Sequence, residues 1–457
     1  MVNIKKHFKE IFALDLRMLA LFRILISIIL IWNICERLLN VEAFMSDSGA
    51  IPLEILKSVT PWPWNMSIYH LTGDSRVQTV LLLFELGFAV AMLLGFRSRI
   101  STFIAWFFLC SAQTRNPLIL FGGDEYLRVL LFWLMFLPTD MYFSVKAKSF
   151  SLVQSHLPTV YFSIASFALI SQILNLYFFS GIHKINSMWI QGEALSYILS
   201  GSHMVKPFGH LILQTLPPNF LKVGGTLVVA LEILFPLAIL LAPPKNYFRW
   251  IFLFLIMSLH LFLDLTLRLE FFSSLSMAAL LIFFRKSAQT EMDSQPTKLI
   301  AGLLCGLLIL SLYSNVRSVK THEKDQGFSG RVLNALQLQQ DWSMFAQPLT
   351  WDGVLFAEAI TKDGKKVDLI SGHEIIKYDS LDKNAFDDVG YLRWLRLLVK
   401  TTVLKESPFD FTPLSKWYCR QQNIDGVKLT MGHWLLPGQQ QPVRDFKKID
   451  LGTYPCP

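Results

Sequence analysis

Long apolar runs separated by short polar connectors dominate the first two thirds of the chain. A membrane-crossing helix needs about 20 mostly apolar residues. On that scale, runs fall near 17–38, 77–95, 100–117, 125–144, 160–182, 221–242, 248–268, 270–285 and 298–316, which predicts about nine spans. The pairs that meet around Arg97 and Leu269 read as tight hairpins. Beyond residue 317 the pattern changes. Val354–Ile360, then Lys362-Asp363-Gly364-Lys365, then Val367–Ile370 reads as a β-hairpin, because Asp-Gly supplies the positive φ of a tight turn. Apolar residues recur at helical spacing from Tyr391 to Leu404. A second helix is predicted over Thr412–Gln421, and Val427–Leu436 reads as a strand. The predicted fold class is mainly α. A polytopic helical membrane bundle occupies residues 1–317, and a small α+β extramembrane domain occupies 318–457.

Composition supports that reading. Of 457 residues, 53% are hydrophobic and only 17% charged, against about 25% charged in soluble domains. The first apolar run, Met18–Ile34, is longer than a signal-peptide core, and Cys35-Glu36-Arg37 is no small-residue cleavage site, so it reads as a retained span. The net charge of +8 comes with no basic face or RNA-binding motif, which excludes nucleic acid as a partner. Lys and Arg instead collect in alternate connectors: Arg97 and Arg99, Lys146 and Lys148, Lys245 to Arg249, Arg285 to Lys298. The intervening connectors carry Glu42, Asp47, Glu54, Asp124 and Glu125. The positive-inside rule then predicts a cell-membrane protein with a cytoplasmic N-terminus and an extracytoplasmic tail. That compartment permits a disulfide between Cys419 and Cys456. No CxxC and no His/Cys cluster has zinc-ligand spacing, so no metal is expected.

Two connectors are long. Pro61-Trp62-Pro63-Trp64 places interface-favouring tryptophans in the first, which reads as re-entrant. The second, 183–220, is too polar and too broken by Pro207, Pro217 and Pro218 to span, and reads as short helices capping the bundle.

Arg23, Glu85, Glu232, His260, Asp264 and Arg268 interrupt the apolar runs. A charge at the centre of a span costs roughly 2.5–3.5 kcal/mol on insertion scales, so most of these side chains must face the bundle interior or a wet cavity. His260, Asp264 and Arg268 recur at i, i+4 and i+8 and form one stripe. That stripe fits either an interhelical hydrogen-bond seam or one wall of a polar cavity. Glu232 fits as a counter-ion of Lys184 or of Arg23. Asp124 and Glu125 follow Gly122-Gly123 and read as carboxylates at a helix N-terminus.

The segment from Tyr177 to Glu193 concentrates candidate chemistry. Tyr177, Gly181 and Lys184 share one helix face. Gly181 permits close approach of another backbone, and His183, Asn186 and Trp189 add polar groups beside it. Lys184 reads either as a snorkelling lysine or as an amine whose pKa burial lowers, fit to act as a general base. The pattern Tyr-Phe-x-x-Gly-x-x-Lys-Ile-x-x-x-Trp-x-x-Gly over Tyr177–Gly192 resembles the core of the HTTM domain, the membrane domain of vitamin K-dependent gamma-carboxylases. The resemblance covers about residues 10–317. Trp342-Ser-Met-Phe345-Ala346 also resembles a segment that recurs on the C-terminal side of HTTM domains.

That resemblance implies a reduced, vitamin K-like quinone as cofactor and no metal. Lys184 matches the family's base, and His183 stands where its neighbouring lysine would be. It implies catalytic roles for Lys184 and His183, with Tyr177, Gly181, Trp189, Asn116, Glu232, His260, Asp264 and Arg268 lining the site. Near Asn116 the family carries a histidine beside paired asparagines, and this chain lacks the histidine. It also lacks most of the large lumenal portion that binds a propeptide. Propeptide-directed carboxylation is therefore not expected. The expected function is a quinone-linked oxygenase or carboxylase-like lyase. The alternative is a non-catalytic protein that binds membrane lipid, quinone or an envelope partner.

Overall fold

The computed structural model describes residues 4–59, 66–145, 147, 158–201, 204–244, 246–284, 291–292, 296–321, 323–361, 365–369, 392–398, 410–421, 424–435 and 444–456. Several residues that the sequence singles out lie outside these. They are Pro61–Trp64, Lys146, Lys148, Lys245, Arg285, Lys286, the Asp363-Gly364 turn, and the ends of the Tyr391–Leu404 and Val427–Leu436 segments.

Among the described residues, six helices are long and apolar enough to cross a membrane: Leu16–Leu39, Ser75–Leu93, Ile164–His183, Pro218–Leu241, Tyr247–Thr266 and Lys298–Thr321. The chain is an integral multi-pass membrane protein. The other three predicted spans are also helical but fall short of that measure. Ser98–Arg115 carries Arg99, Arg115 and several Ser and Thr. Gly122–Leu134 has 13 residues and rises only about 20 Å, because Pro138 comes next and cannot continue a helix. Phe272–Leu280 has nine residues and rises about 14 Å, against a hydrocarbon core of about 30 Å.

These short helices still run between the same two ends of the bundle. At the end nearer the tail, Arg115 meets Asp47 and Asp124 meets Arg37. At the other end, Val145 donates to the Leu94 carbonyl, and three two-residue strands pair in the order β1 (Leu14–Asp15), β2 (Val160–Tyr161), β3 (Glu291–Met292). The predicted span 160–182 therefore begins as strand. Its helix starts at Ile164, where Ser163 and Ser166 cap each other's backbone N–H.

The helix Ile164–His183 is the centre of the bundle. Of its most apolar window 72% is buried, against 22–28% in four of the other five crossing helices, whose remaining positions face lipid. Gly181 explains part of that packing. A Cβ there would lie 2.6 Å from Ile233 Cγ1 and 3.2 Å from Glu232 Cβ, so the helices Ile164–His183 and Pro218–Leu241 touch where a larger residue would part them.

The connector 183–220 forms the expected short helices, Ser187–Ile190, Ala194–Ser200 and Pro207–Thr215. In the tail, β4 (Trp351–Thr361) pairs antiparallel with β5 (Lys366–Asp368), as the hairpin reading expected. β6 (Ile424–Leu435) and β7 (Arg444–Pro455) complete a sheet of order β5-β4-β6-β7. β7 has no place in the sequence reading, because its alternation is interrupted by Lys447-Lys448 and Gly452. The helix Thr412–Gln421 falls where predicted. Its Cys419 is disulfide-bonded to Cys456 just beyond β7.

Candidate functional site

Lys184 caps the C-terminus of the central helix. Its side chain folds back over the last turn. Nζ donates to Ser180 Oγ at 2.6 Å and to both Glu232 oxygens at 3.1 and 2.9 Å. Lys184 is only 4% exposed, so this is a buried ion pair rather than a snorkelling amine. Arg23 is not the partner of Glu232. Its guanidinium binds the Thr139 and Phe143 carbonyls, beyond the end of the shortened helix Gly122–Leu134. The sequence left Glu232 as a counter-ion of either Lys184 or Arg23, and the structure pairs it with Lys184.

Ser180 and Trp189 hold the pair in place. Ser180, one turn earlier, also donates to Glu232. The Trp189 ring lies 5.7 Å from Lys184 Nζ. Pro236, one turn after Glu232, removes the N–H that would bond the Glu232 carbonyl and so loosens the helix there. Trp189 is fixed in turn by its indole N–H, which donates to the Phe345 carbonyl at 2.9 Å, while the Asn186 amide donates to the Ala346 carbonyl at 2.7 Å. The Trp342–Ala346 segment thus straps directly onto the lysine segment. Its anchor is a buried amide network. Gln172 and Gln340 exchange hydrogen bonds at 2.7 and 3.0 Å, and the Trp133 and Trp342 indoles donate into the pair.

Beside Lys184 and Glu232 opens a cavity of about 260 Å³. Leu195, Ile198, Leu263 and Phe272 supply much of its apolar lining. Its polar groups are few: the Lys184–Glu232 pair, Ser180, Tyr177, His260, Thr266 and Arg396. Tyr177 Oη lies 2.8 Å from His260 Nε2. A mostly apolar hollow with a few convergent polar groups is the usual form of a small-molecule site.

The structure brings together Lys184, Tyr177, Trp189, Glu232 and His260 around this cavity. Gly181 acts behind it, by letting Glu232 approach. Besides Gly181, four predicted residues do not line it. His183 is buried one position off the lining face. Asn116 is buried, and its amide donates to the Phe44 carbonyl at 3.1 Å. Asp264 and Arg268 leave the expected stripe. The helix ends at Thr266, and a bridge between Val205 and Leu267 turns the chain aside. The Arg268 N–H then donates to the Met204 carbonyl, while half-exposed Asp264 receives Lys206 on its backbone carbonyl. The cavity face passes through His260, Leu263 and Leu267, and Asp264 sits beside it.

Sequence reasoning missed Ser180, Met344, Phe345 and Arg396 as lining residues. Ser180 had a signal, since it stands four residues before Lys184. Met344 and Phe345 belong to the strap, which the sequence placed far from the lysine segment. Met344 packs where a Cβ on Gly122 would meet its sulfur at 2.4 Å. Arg396, over the Phe121 ring at 5.6 Å, had no local signal.

A second charged cluster lies nearby. Asp124 caps its helix through the Phe121 N–H at 2.9 Å, as expected. It also accepts two hydrogen bonds from Arg393 at 3.1 Å and one from Arg37 at 3.3 Å. Glu270 and Glu36 lie 3.3 and 3.6 Å from the same Arg393 guanidinium. Burial beside these carboxylates pushes Glu270, in the connector between two helices, up to about 8. Among the described residues no group of three or more His, Cys, Asp or Glu is placed to hold a metal ion.

Fold and site together define a multi-pass membrane protein with a ligand-sized cavity at one end of its bundle. The profile of the HTTM domain family matches residues 13–287, more than half of the chain, and the chain belongs to that family. No curated protein and no solved structure matches it. The strap and Arg396 lie beyond the matched region, so part of the cavity wall is built from outside the family domain.

Proposed function

We propose that this protein binds a reduced, vitamin K-like quinone in the cavity and uses the Lys184–Glu232 pair to take up a proton from its ring hydroxyl. The observation that carries this reading is one buried Lys–Glu pair opening into an otherwise apolar hollow. The apolar walls suit a ring system and exclude water. The pair offers a basic group within hydrogen-bond reach of whatever fills the hollow. Family membership adds weight, since Lys184 matches the base of the related carboxylases. The reaction class is then a quinone-linked oxygenation or a carboxylase-like lyase reaction. A glutamate propeptide is not its substrate on this reading, because the family's histidine is missing near Asn116. The cavity end and the tail are placed on the extracytoplasmic face, because Arg97, Arg99 and Lys298 lie at the other end.

Quinol-dependent oxygen uptake by the purified protein tests the proposal. Lys184→Ala and Lys184→Arg should both abolish uptake, since Lys184 must pass its proton to Glu232 before its amine can accept one and a guanidinium does not give its proton up, while His183→Ala should change it little. Full uptake in both Lys184 variants would overturn the catalytic reading. No uptake by the wild-type protein with any quinol would leave the non-catalytic alternative, a lipid- or quinone-binding protein, as the better account.

A further inference from the structure

Among the described residues that line the cavity, His260 has a buried side-chain atom without a hydrogen-bond partner. It lies deep in the helix Tyr247–Thr266, nearly two turns before its end, and is 3% exposed. Nε2 is engaged by Tyr177 Oη. Nδ1 is buried and has no hydrogen-bond partner among the described residues. The ring is held by aromatic contacts, with the Tyr177 centroid at 5.7 Å and the Phe272 centroid at 5.9 Å. A neutral imidazole carries one N–H and one lone pair, so Nδ1 must donate or accept. Leaving such a group unpaired costs about 1–3 kcal/mol. A leucine would have packed at this position without that cost.

Tyr177 and Lys184 stand two turns apart on one helix, about 10 Å along its axis. The cavity therefore has two polar poles, Lys184–Glu232 near the bundle end and His260–Tyr177 deeper, with apolar walls between. Its volume of about 260 Å³ is just under the usual range for small-ligand pockets, roughly 300–1,000 Å³. That suits a ring system and not a long chain folded inside. An acyl chain would also leave Nδ1 unpaired.

We propose that His260 Nδ1 hydrogen-bonds the inward end of the ligand, so that the site selects a flat apolar molecule with a polar group at each end. This deepens the reading of the cavity as a ligand site and rests on it. Tyr177 is the positioning residue. It fixes the imidazole through Nε2 and so decides whether Nδ1 donates or accepts.

Binding of two probes to the purified full-length protein, measured without oxygen by tryptophan fluorescence, tests this. Naphthalene-1,4-diol offers both ends, and 1-naphthol offers one. The wild-type protein should prefer the diol by about tenfold, the equivalent of one good hydrogen bond. His260→Leu should bring the ratio to about one and leave 1-naphthol binding within a few-fold of wild type. His260→Gln, which keeps a donor and an acceptor, should retain part of the preference. A merely structural histidine would not change the ratio. An unchanged ratio in both His260 variants, with the wild type binding the probes, would overturn this inference alone. Failure of the wild type to bind either probe would overturn the underlying reading of the cavity as well.

Discussion

Two buried charge clusters sit side by side at the tail end of the bundle, and they differ in what surrounds them. Arg393 and Arg37 are closed in by Asp124, Glu270 and Glu36. Arg393 is fully buried and comes from the short helix Leu392–Leu398 of the tail. That cluster is a plug and socket, in which three carboxylates and one arginine of the bundle wait for one guanidinium. Lys184 and Glu232 are as close to each other, but one side of their pair is open to a cavity. Both clusters bear the cost of taking charge out of water. Only the second keeps a face on which a ligand could act. A buried ion pair is thus evidence of a site only where it borders space, and the same chemistry sealed by protein is a joint.

The largest expected effect lies in the joint. Arg393→Ala leaves buried Asp124 and its neighbours Glu270 and Glu36 without their shared guanidinium, and should cost about 3–5 kcal/mol. Limited proteolysis should then release tail fragments that the wild type protects. Wild-type protease resistance in the variant would show that the plug does not hold the tail.

Lys184→Ala comes next, because it strands Glu232. It should lower stability by about 3 kcal/mol, while Lys184→Met combined with Glu232→Leu should recover most of that loss. Thermal unfolding in one detergent separates the two. If the double variant is no more stable than the single, the pair is not an isolated unit.

The third contrast is in pH. Burial raises Glu270 from an ordinary 4.5 to about 8. Folding therefore favours its protonated form. The associated stability is fully present below about 4.5 and is lost as pH rises through about 8. Glu270→Gln should flatten that fall between about pH 4.5 and 8, on the scale set by this shift. An unchanged pH profile would mean that Arg393 keeps Glu270 ionised throughout.

The smallest effect is at the strap. Trp189→Phe removes the hydrogen bond to the Phe345 carbonyl and should cost about 1 kcal/mol. It should weaken quinol binding more than it weakens the fold, because Trp189 also covers Lys184. Equal losses in both would make it a packing residue only.

The sequence made most of the bundle legible because spanning helices follow hydropathy, and every predicted run contains a helix. It overestimated the runs 125–144 and 270–285, whose α-helices stop at Leu134, shortly before Pro138, and at Leu280. In the site, Tyr177, Lys184 and Trp189 were legible because they share a helix and the turn just after it. Glu232 could be placed only as one of two alternatives, since nothing local says which cation faces it across helices. Arg268 failed because a periodicity argument assumes that the helix continues, and it ends at Thr266, while Asp264 stays on the helix but the cavity face runs through Leu263 beside it. Arg393 and Arg396 lay beyond reach. Their partners Asp124, Glu36 and Phe121 are hundreds of residues away, and a helix with two arginines normally reads as a solvated face.

The central claim is that the open pair, and not the sealed one, belongs to a ligand. A solved structure of the protein with a reduced naphthoquinone tests it most directly. The account predicts ring density between the Lys184–Glu232 pair and His260, inside the hollow flanked by Tyr177 and Phe272. Density only on the lipid-facing surface, or in the polar recess beside Arg128 and Gln337, with the cavity empty, would contradict it.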